Sequence, residues 1–161
     1  ELSADDRFGD LVGASVAMRA AFARLSRVAE SDTTVLVTGE TGTGKELVAE
    51  ALHRLSPRAE RPFVKINCGA LPDTLVEAEL FGYESGAFTG ASRAKPGRFE
   101  LADGGTLFID ELEDLGAEAQ RLLIGALETG VFSRVGSHEP QGLTCRFGVA
   151  HTGTKIHRLA I

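Results

Sequence analysis

A glycine-rich segment between a predicted strand and a predicted helix constrains the fold of this 161-residue chain more than any other feature. The segment GETGTGKE, residues 39–46, fits the pattern GxxxxGK. It follows TTVLVTG, a short β-branched apolar run, and precedes ELVAEALHRL, which has helical periodicity. Glycines in this context let the backbone wrap around phosphate groups, so that amide N–H groups and the helix N-terminus face the ligand. The segment therefore predicts a phosphate-binding loop in an α/β unit.

Every residue of this loop is a candidate phosphate contact. Lys45 would place a mobile cation beside the β- and γ-phosphates of a nucleotide. The next residue in such loops is usually Ser or Thr, whose hydroxyl binds Mg²⁺, but this chain has Glu46. A glycine-rich turn that starts a helix and binds nothing is the alternative interpretation. The candidate nucleotide-binding residues are Gly39, Glu40, Thr41, Gly42, Thr43, Gly44, Lys45 and Glu46.

The rest of the chain alternates between predicted strands and helices, which implies an α/β fold with a parallel sheet and helices on both faces. From Gly82 to Gly97 the Gly, Ser, Ala and Thr content instead predicts an exposed excursion. The predicted elements are a helix over 15–30 capped by Ser15, a strand in TTVLVTG, a helix in ELVAEALHRL, a strand over Phe63–Asn67, a helix in LPDTLVEAELFG with Pro72 in its first turn, a strand over Thr106–Asp110 and a helix over Ala117–Thr129.

Two adjacent carboxylates end the strand with the most buried pattern, Thr106–Asp110. Asp110 could hold Mg²⁺ through water, and Glu111 could orient or deprotonate a water that attacks a γ-phosphate. Such pairs are also common where a solvated helix starts, and Glu113 and Asp114 lie nearby. The upstream phosphate loop favours the catalytic interpretation, because ligands of α/β sheets collect at the carboxyl ends of the strands.

The hexapeptide GAFTGA, residues 86–91, lies within the exposed excursion. Its residue types form no metal site, no acid–base pair and no ordinary turn. They favour recognition by an exposed loop over the alternative of a flexible surface loop with one stray phenylalanine.

Composition and charge exclude several classes of function. The net charge of −6 gives the phosphate backbone of DNA no general attraction, so DNA contact would need another segment. Cys68 and Cys145 lack CxxC or CxxH spacing, which predicts free thiols rather than a zinc site or a disulfide framework. No apolar run approaches the ~20 residues that span a bilayer, and the chain starts with an acidic segment. We therefore expect a soluble, cytoplasmic protein without membrane contact.

These motifs, in this order, resemble the central ATPase domain of the bacterial enhancer-binding proteins, the sigma-54-dependent activators of the AAA+ superfamily. The resemblance is strongest over residues 8–135 and includes GETGTGKELVAEALHRLS, FVKINCGALPDTLVEAELFGYESGAFTGA, GRFELADGGTLFIDEL and ETGVFSRVG. That family also carries Glu after the loop lysine, so Glu46 agrees with it. The resemblance implies one domain over residues 1–161 with an AAA+ P-loop NTPase core. Such a core is a three-layer sandwich around a mostly parallel sheet, and the helical lid is absent from these residues.

The resemblance also implies roles for individual residues. Lys45 and the surrounding loop would bind ATP as the Walker A motif, and Asp110 with Glu111 would form the Walker B pair that holds Mg²⁺ and activates water. Asn67 matches the family's switch residue, which hydrogen-bonds the catalytic glutamate; a strand-end amide that satisfies local backbone is the alternative. Val12 and Gly13 match a segment that lines the adenine pocket. The residues that would grip sigma-54 are Gly86, Ala87, Phe88, Thr89, Gly90 and Ala91, with Phe88 and Thr89 in direct contact and the loop responding to nucleotide state.

The function implied by the resemblance is ATP-driven remodelling of the closed complex of the sigma-54 RNA polymerase holoenzyme. The parent protein would form a ring, a hexamer, and would contact DNA only through a domain absent here. Residues 136–161 diverge from the family pattern: Arg146 matches its basic strand, Ala150 and His151 match the sensor segment loosely, and Arg158 does not match an arginine finger. We therefore expect weak ATPase activity and poor ring formation from these residues alone. A nucleotide-binding regulatory module without efficient turnover, or another AAA+ remodelling ATPase, remains an alternative.

Overall fold

The structure, a computed structural model, describes residues 3–152. The strands are β1 (Arg7–Phe8), β2 (Leu11–Val12), β3 (Val35–Thr38), β4 (Phe63–Asn67), β5 (Gly82–Tyr83), β6 (Lys95–Pro96), β7 (Thr106–Asp110), β8 (Val131–Phe132), β9 (Gln141–Gly142) and β10 (Arg146–His151). The α-helices are α1 (Val16–Ala29), α2 (Lys45–Arg54), α3 (Asp73–Phe81), α4 (Arg98–Leu101) and α5 (Ala117–Thr129). Short 3-10 helices cover Ala4–Asp6, Cys68–Ala70 and Leu112–Asp114.

Four parallel strands form the central sheet in the order β3–β10–β7–β4. Strand β10 therefore lies inside the sheet, between the strand that precedes the phosphate loop and the strand that ends in the acidic pair. Strand β10 pairs His151 with Thr38 of β3, and β4 pairs Asn67 with Asp110 of β7. Because all four strands run the same way, their carboxyl ends meet at one edge of the sheet.

Helices cover both faces of this sheet, which confirms the three-layer prediction. Leu107 and Ile109 of β7 pack with α3 and α5 in the largest buried cluster. Phe108, which points to the opposite face, packs with Ala49 of α2 and Ala150 of β10. The alternation follows from the two-residue period of a strand, and each apolar side chain buried in this way contributes about 1.5–3 kcal/mol.

A buried arginine joins β10 to the end of α1. The Arg146 side chain is only 4% exposed, and its guanidinium donates hydrogen bonds to the carbonyl oxygens of Val28 (2.7 Å), Ala29 (3.2 Å) and Thr33 (3.1 Å). Burial lowers the pKa of this guanidinium. Carbonyl groups at the end of a helix have no partner within the helix, so Arg146 acts as a C-terminal cap supplied by another element.

The predicted strands over Phe63–Asn67 and Thr106–Asp110 and the predicted helix over Ala117–Thr129 have the expected bounds. Ser15 caps α1 as predicted, because its hydroxyl accepts the Met18 amide N–H at 3.2 Å. The prediction for Pro72 is wrong by one position, since Pro72 is the N-cap of α3 and not a member of its first turn. Within residues 3–152, no helix combines the length and apolarity needed to cross a bilayer.

Candidate active site

The phosphate loop connects β3 to α2 as the sequence predicts. Gly42 (φ +81°) and Gly44 (φ +89°) take left-handed backbone conformations that other residues rarely adopt, and this allows the loop to curl before the helix begins. Thr43 closes the turn because its hydroxyl donates to the Glu40 carbonyl at 2.7 Å. The Gly39 amide donates to the His151 carbonyl at 3.3 Å, so the start of the loop is anchored on β10.

The two residues that begin α2 make different contacts. The Lys45 ammonium donates to the carbonyl oxygens of Gly39 and Glu40, both at 2.7 Å, and therefore lies folded over the loop. The Glu46 carboxylate forms an ion pair with Lys65 on β4. This hydrogen bond raises the pKa of Lys65. Glu46, which stands where Ser or Thr is usual, thus pairs with Lys65 through its side chain. Its backbone amide remains part of the N-terminus of α2.

The acidic pair lies at the carboxyl end of β7. The Asp110 carboxylate accepts the Glu111 amide N–H at 2.9 Å. Glu111 has φ +54° and ψ +49°, and it is the only non-glycine residue among residues 3–152 with a positive φ. A left-handed backbone at a residue with a side chain costs about 1–3 kcal/mol, and such strain is concentrated at functional sites.

Asn67 ends β4 beside Asp110, so the sheet register brings the two residues together. Within the described part of the chain, the hydrogen bond of the Asn67 side chain is made with the Gly69 amide at 2.9 Å and not with Glu111. This is the local backbone contact considered as the alternative in the sequence. The switch role of Asn67 therefore stays a prediction.

A cavity of about 340 Å³ brings the two predicted motifs together. Its lining is Thr41, Gly42, Gly44, Lys45, Glu46, Leu47, Asp110, Glu111 and Thr152. Backbone amides and an ammonium group on one side suit phosphate oxygens, and a carboxylate on the other side is the hard oxygen ligand that Mg²⁺ prefers. The donor set therefore fits a magnesium nucleotide. A larger cavity of about 490 Å³ lies elsewhere, between α3, α5 and the segment after β8.

Thr152 is a lining residue that sequence reasoning missed. It follows His151 at the end of β10, and its amide donates to a carboxylate oxygen of Glu113 at 3.1 Å while its hydroxyl contacts the same oxygen. The available signal was a hydroxyl residue directly after an apolar strand, at the sheet edge where ligands collect. The segment around Thr152 matches the family pattern only loosely, so the sequence did not predict Thr152 as a site residue. Arg158 lies outside the described residues.

Val12 and Gly13, predicted to line an adenine pocket, lie near the phosphate loop but outside the cavity lining. A Cβ built on Gly44 would lie 3.5 Å from Leu11, which shows that β2 packs beside the loop. Val12 is 50% exposed, and Leu47, which lies near Gly44 and lines the cavity, is 42% exposed. Their adenine-binding role stays a prediction.

The GAFTGA segment is the tip of a hairpin that α3 and strands β5 and β6 carry. The Gly86 amide donates to the Ala91 carbonyl at 2.7 Å, and the Ala91 amide donates to the Phe88 carbonyl at 3.0 Å. Phe88 is 41% exposed, and its ring meets Tyr83 edge-on with centroids 4.9 Å apart. Gly86, Thr89 and Gly90 are exposed, Ala87 is half-buried and Ala91 is buried. The structure therefore presents Phe88 and Thr89 to solvent, whereas the side chain of Ala91 faces inward.

The segment after β8 holds the base of this hairpin. Val135 accepts the Glu84 amide at 3.0 Å and donates to the Gly82 carbonyl at 2.9 Å. Arg134 pairs with both carboxylate oxygens of Glu100 at 2.7 and 2.8 Å, and contacts Glu84 at 3.4 Å. These bonds with Arg134 lower the pKa of Glu100 and raise the pKa of Arg134.

Comparison with known proteins agrees with this geometry. The chain is 59% identical over 129 residues to the Nif-specific regulatory protein of Enterobacter agglomerans, which covers 80% of this chain and 25% of that protein. It is 48% identical over 149 residues to the DNA-binding transcriptional regulator NtrC of Salmonella typhimurium, covering 92% of this chain and 32% of that protein. The chain thus spans about a quarter to a third of these relatives' length.

Solved structures give the same result. The crystal structures of NtrX from Brucella abortus in complex with ADP and with ATP each align with a TM-score of 0.81 and 35% identity, over 93% of this chain and 32% of the NtrX chain. The AAA+ α/β fold implied by the sequence is therefore confirmed. Residues 11–160 match the model of the Sigma-54 interaction domain, and the chain belongs to that family.

Proposed function

We propose that this chain binds and hydrolyses ATP in a sigma-54-dependent transcription activator. The observation that carries the proposal is the shared cavity, which Lys45 lines together with Asp110 and Glu111 although the two motifs are far apart in the sequence. In this proposal, Lys45 and the loop amides bind the phosphates. Asp110 would hold Mg²⁺, which would neutralise charge on the phosphates, and Glu111 would orient or deprotonate the attacking water.

The exposed hairpin is the proposed output of the cycle. Phe88 and Thr89 would contact sigma-54 and remodel the closed polymerase complex. The hairpin is suited to this because its tip is exposed while its base is held by hydrogen bonds to Glu84 and Gly82. Nucleotide state would change the hairpin position, as in other proteins where γ-phosphate contacts bias a two-state element.

The remaining features of the proposal concern the whole protein. It would be a cytoplasmic, ring-forming regulator, with DNA contacted through segments other than this acidic domain. Ring ATPases complete a site with an arginine from the neighbouring subunit, and such arginines contribute about 10³–10⁵ in rate in other NTPases. We therefore propose slow turnover for this chain alone.

The test measures ATP affinity and single-turnover hydrolysis for the wild-type chain beside two variants. Lys45→Ala is expected to weaken ATP binding by about tenfold or more, because a charge-assisted hydrogen bond is lost. Glu111→Gln is expected to bind ATP normally and to hydrolyse it about 10²–10⁴ times more slowly. Glu118→Gln, an exposed glutamate on α5, is the matched control and should resemble wild type.

The outcomes separate the candidate functions. Normal binding with equal turnover in wild type and Glu111→Gln would contradict the ATPase proposal and favour a nucleotide-gated module. Capture of purified sigma-54 with a transition-state mimic tests the output. Phe88→Ala should abolish capture, whereas Leu75→Ala, an apolar residue of α3 with similar exposure (44%), should not. Equal capture by both variants would contradict the role of the hairpin.

A further inference from the structure

The ring of Phe88, at the tip of the hairpin, packs against one other aromatic ring. Its centroid lies 4.9 Å from that of Tyr83, and the two ring planes meet at 65°. This is the edge-to-face geometry that aromatic pairs prefer, within their usual range of about 4.5–7 Å. Among residues 3–152, Tyr83 is the only aromatic partner of Phe88. Because Phe88 is still 41% exposed, one side of its ring is packed and the rest faces solvent.

Tyr83 belongs to the base of the hairpin, where the backbone is paired on both sides. In β5 it pairs with Lys95 of β6, and it also forms a parallel bridge with Val135. The hydrogen bonds of Val135 with Glu84 and Gly82 lie on either side of it. The Tyr83 ring is therefore a support that the paired strands hold in place.

The backbone at the tip is placed by contacts other than the Phe88 ring. The hydrogen bond between the Gly86 amide and the Ala91 carbonyl closes the tip. Ala87 lies directly against the turn that contains Gly136, since a Cβ built on Gly136 would be 2.9 Å from the Ala87 Cβ and 3.2 Å from its Cα. The position of the Phe88 Cα is thus fixed by its neighbours, and the direction of its ring depends on the choice among side-chain rotamers.

We propose that Tyr83 is a positioning residue for the contact with sigma-54, because its ring holds the Phe88 ring in one outward orientation before the partner binds. The inference rests on the proposed function, in which Phe88 contacts sigma-54. Aromatic anchors carry a large share of binding energy at interfaces, and a side chain that is already oriented loses less freedom on binding. A contact that hid Phe88 from its partner would bury the ring, whereas a large part of this ring is exposed.

The composition of the chain gives a direct spectroscopic signal for this pair. Tyr83 is the only tyrosine, and the chain has no tryptophan. Tyrosine fluorescence from the isolated chain therefore reports on Tyr83 alone. Phe88→Ala should increase acrylamide quenching of this fluorescence and lower its anisotropy, because the neighbouring ring is removed. Leu75→Ala, an exposed apolar residue of α3, is the control and should change neither.

The binding experiment compares Tyr83→Ala and Tyr83→Phe with wild type and Leu75→Ala. Affinity for purified sigma-54 is measured with a transition-state mimic bound, beside ATP affinity and the unfolding midpoint. We expect Tyr83→Ala to bind sigma-54 about 2–10-fold more weakly, the loss that corresponds to one aromatic pair. Tyr83→Phe keeps the ring and should bind like wild type. ATP affinity should be unchanged in both variants, because Tyr83 does not line the nucleotide cavity.

The outcomes separate this proposal from the proposed function. Equal or tighter sigma-54 binding by Tyr83→Ala, while Phe88→Ala abolishes binding, would overturn this proposal alone. So would unchanged tyrosine fluorescence in Phe88→Ala, or a loss of affinity that Tyr83→Phe shares. A loss of sigma-54 binding that comes with a loss of ATP binding would indicate a general structural role and would also overturn it. Equal binding of sigma-54 by Phe88→Ala and wild type would overturn both proposals.

Discussion

Replacing Arg134 by alanine tests how strongly the segment after β8 holds the hairpin base. Arg134 makes two short hydrogen bonds to Glu100, and the two side chains are only 21% and 19% exposed. Arg121 and Glu118 on α5 form the same kind of ion pair on the protein surface. Their two hydrogen bonds are 2.9 and 2.6 Å long, but the side chains are 68% and 63% exposed. Arg121→Ala is therefore a control that differs from Arg134→Ala mainly in burial.

The expected loss follows from what the substitution leaves behind. Removing one partner of a fully buried ion pair costs about 3–5 kcal/mol, because the other charge stays buried and unpaired. Glu100 keeps some access to water and a contact with Gln141 at 3.4 Å. We therefore expect Arg134→Ala to lower the free energy of unfolding by about 2–3 kcal/mol. For a chain of this size that is a fall in Tm of roughly 4–12 °C. Arg121→Ala should leave Tm almost unchanged, because exposed pairs contribute little.

Urea unfolding and thermal scans measure both variants, and a double-mutant cycle with Glu100→Gln isolates the pair. We expect a coupling energy of about 1 kcal/mol or more between Arg134 and Glu100. Because the folded-state pKa of Glu100 lies below its unfolded value, the contribution is complete above the unfolded pKa of about 4.3 and is lost as pH falls through the folded pKa. Equal Tm values for the two Arg→Ala variants would refute the reasoning, and so would a coupling near zero at neutral pH.

Three further outcomes are expected. Arg146→Met should lower the free energy of unfolding by about 2–4 kcal/mol in urea titrations, because it removes the donor of three hydrogen bonds to carbonyl oxygens near the end of α1. Burial lowers the pKa of His53, whose ring nitrogens contact Thr106 Oγ1 and the Arg61 carbonyl, so the unfolded chain binds a proton that the folded chain does not. Stability should therefore fall as pH drops below about 6.5, with a shallower slope in His53→Gln. Burial raises the pKa of Cys68 to about 12, ahead of a smaller effect from nearby carboxylates, so iodoacetamide at pH 8 should alkylate it on the order of a thousandfold more slowly than in urea.

The elements that the sequence predicted with the right bounds carry a strong local pattern of side chains. Strand β7 is buried at its first four residues, and its apolar run between GG and acid predicts such a strand directly. Strand β10 gives a weaker signal, because Gly148 interrupts its apolar pattern. A Cβ at Gly148 would lie 3.2 Å from the Phe108 ring, so this glycine marks close packing inside the sheet. The sequence does not show that Gly148 packs against the Phe108 ring. The position of β10 in the sheet is therefore known only from the structure.

The candidate site was also predictable only in part from the sequence. The phosphate loop and the acidic pair were predictable because each is a local pattern with a chemical reason. Contacts between distant segments were not, and they determine how the site is arranged: Glu46 faces Lys65 on β4, and Thr152 meets Glu113. The Thr152 contact arises from the strand order, which places the ends of β7 and β10 side by side. The Glu46 contact arises because α2 packs across the sheet towards β4.

The Glu111 carboxylate lies against Gly69, at the start of a segment that is continuous with the hairpin. The 3-10 helix Cys68–Ala70 leads through Leu71 and Pro72 into α3, and α3 leads into the hairpin that carries Phe88. Because packed interfaces shift between discrete arrangements rather than deform continuously, we expect a shift of this 3-10 helix to move α3 and the hairpin together.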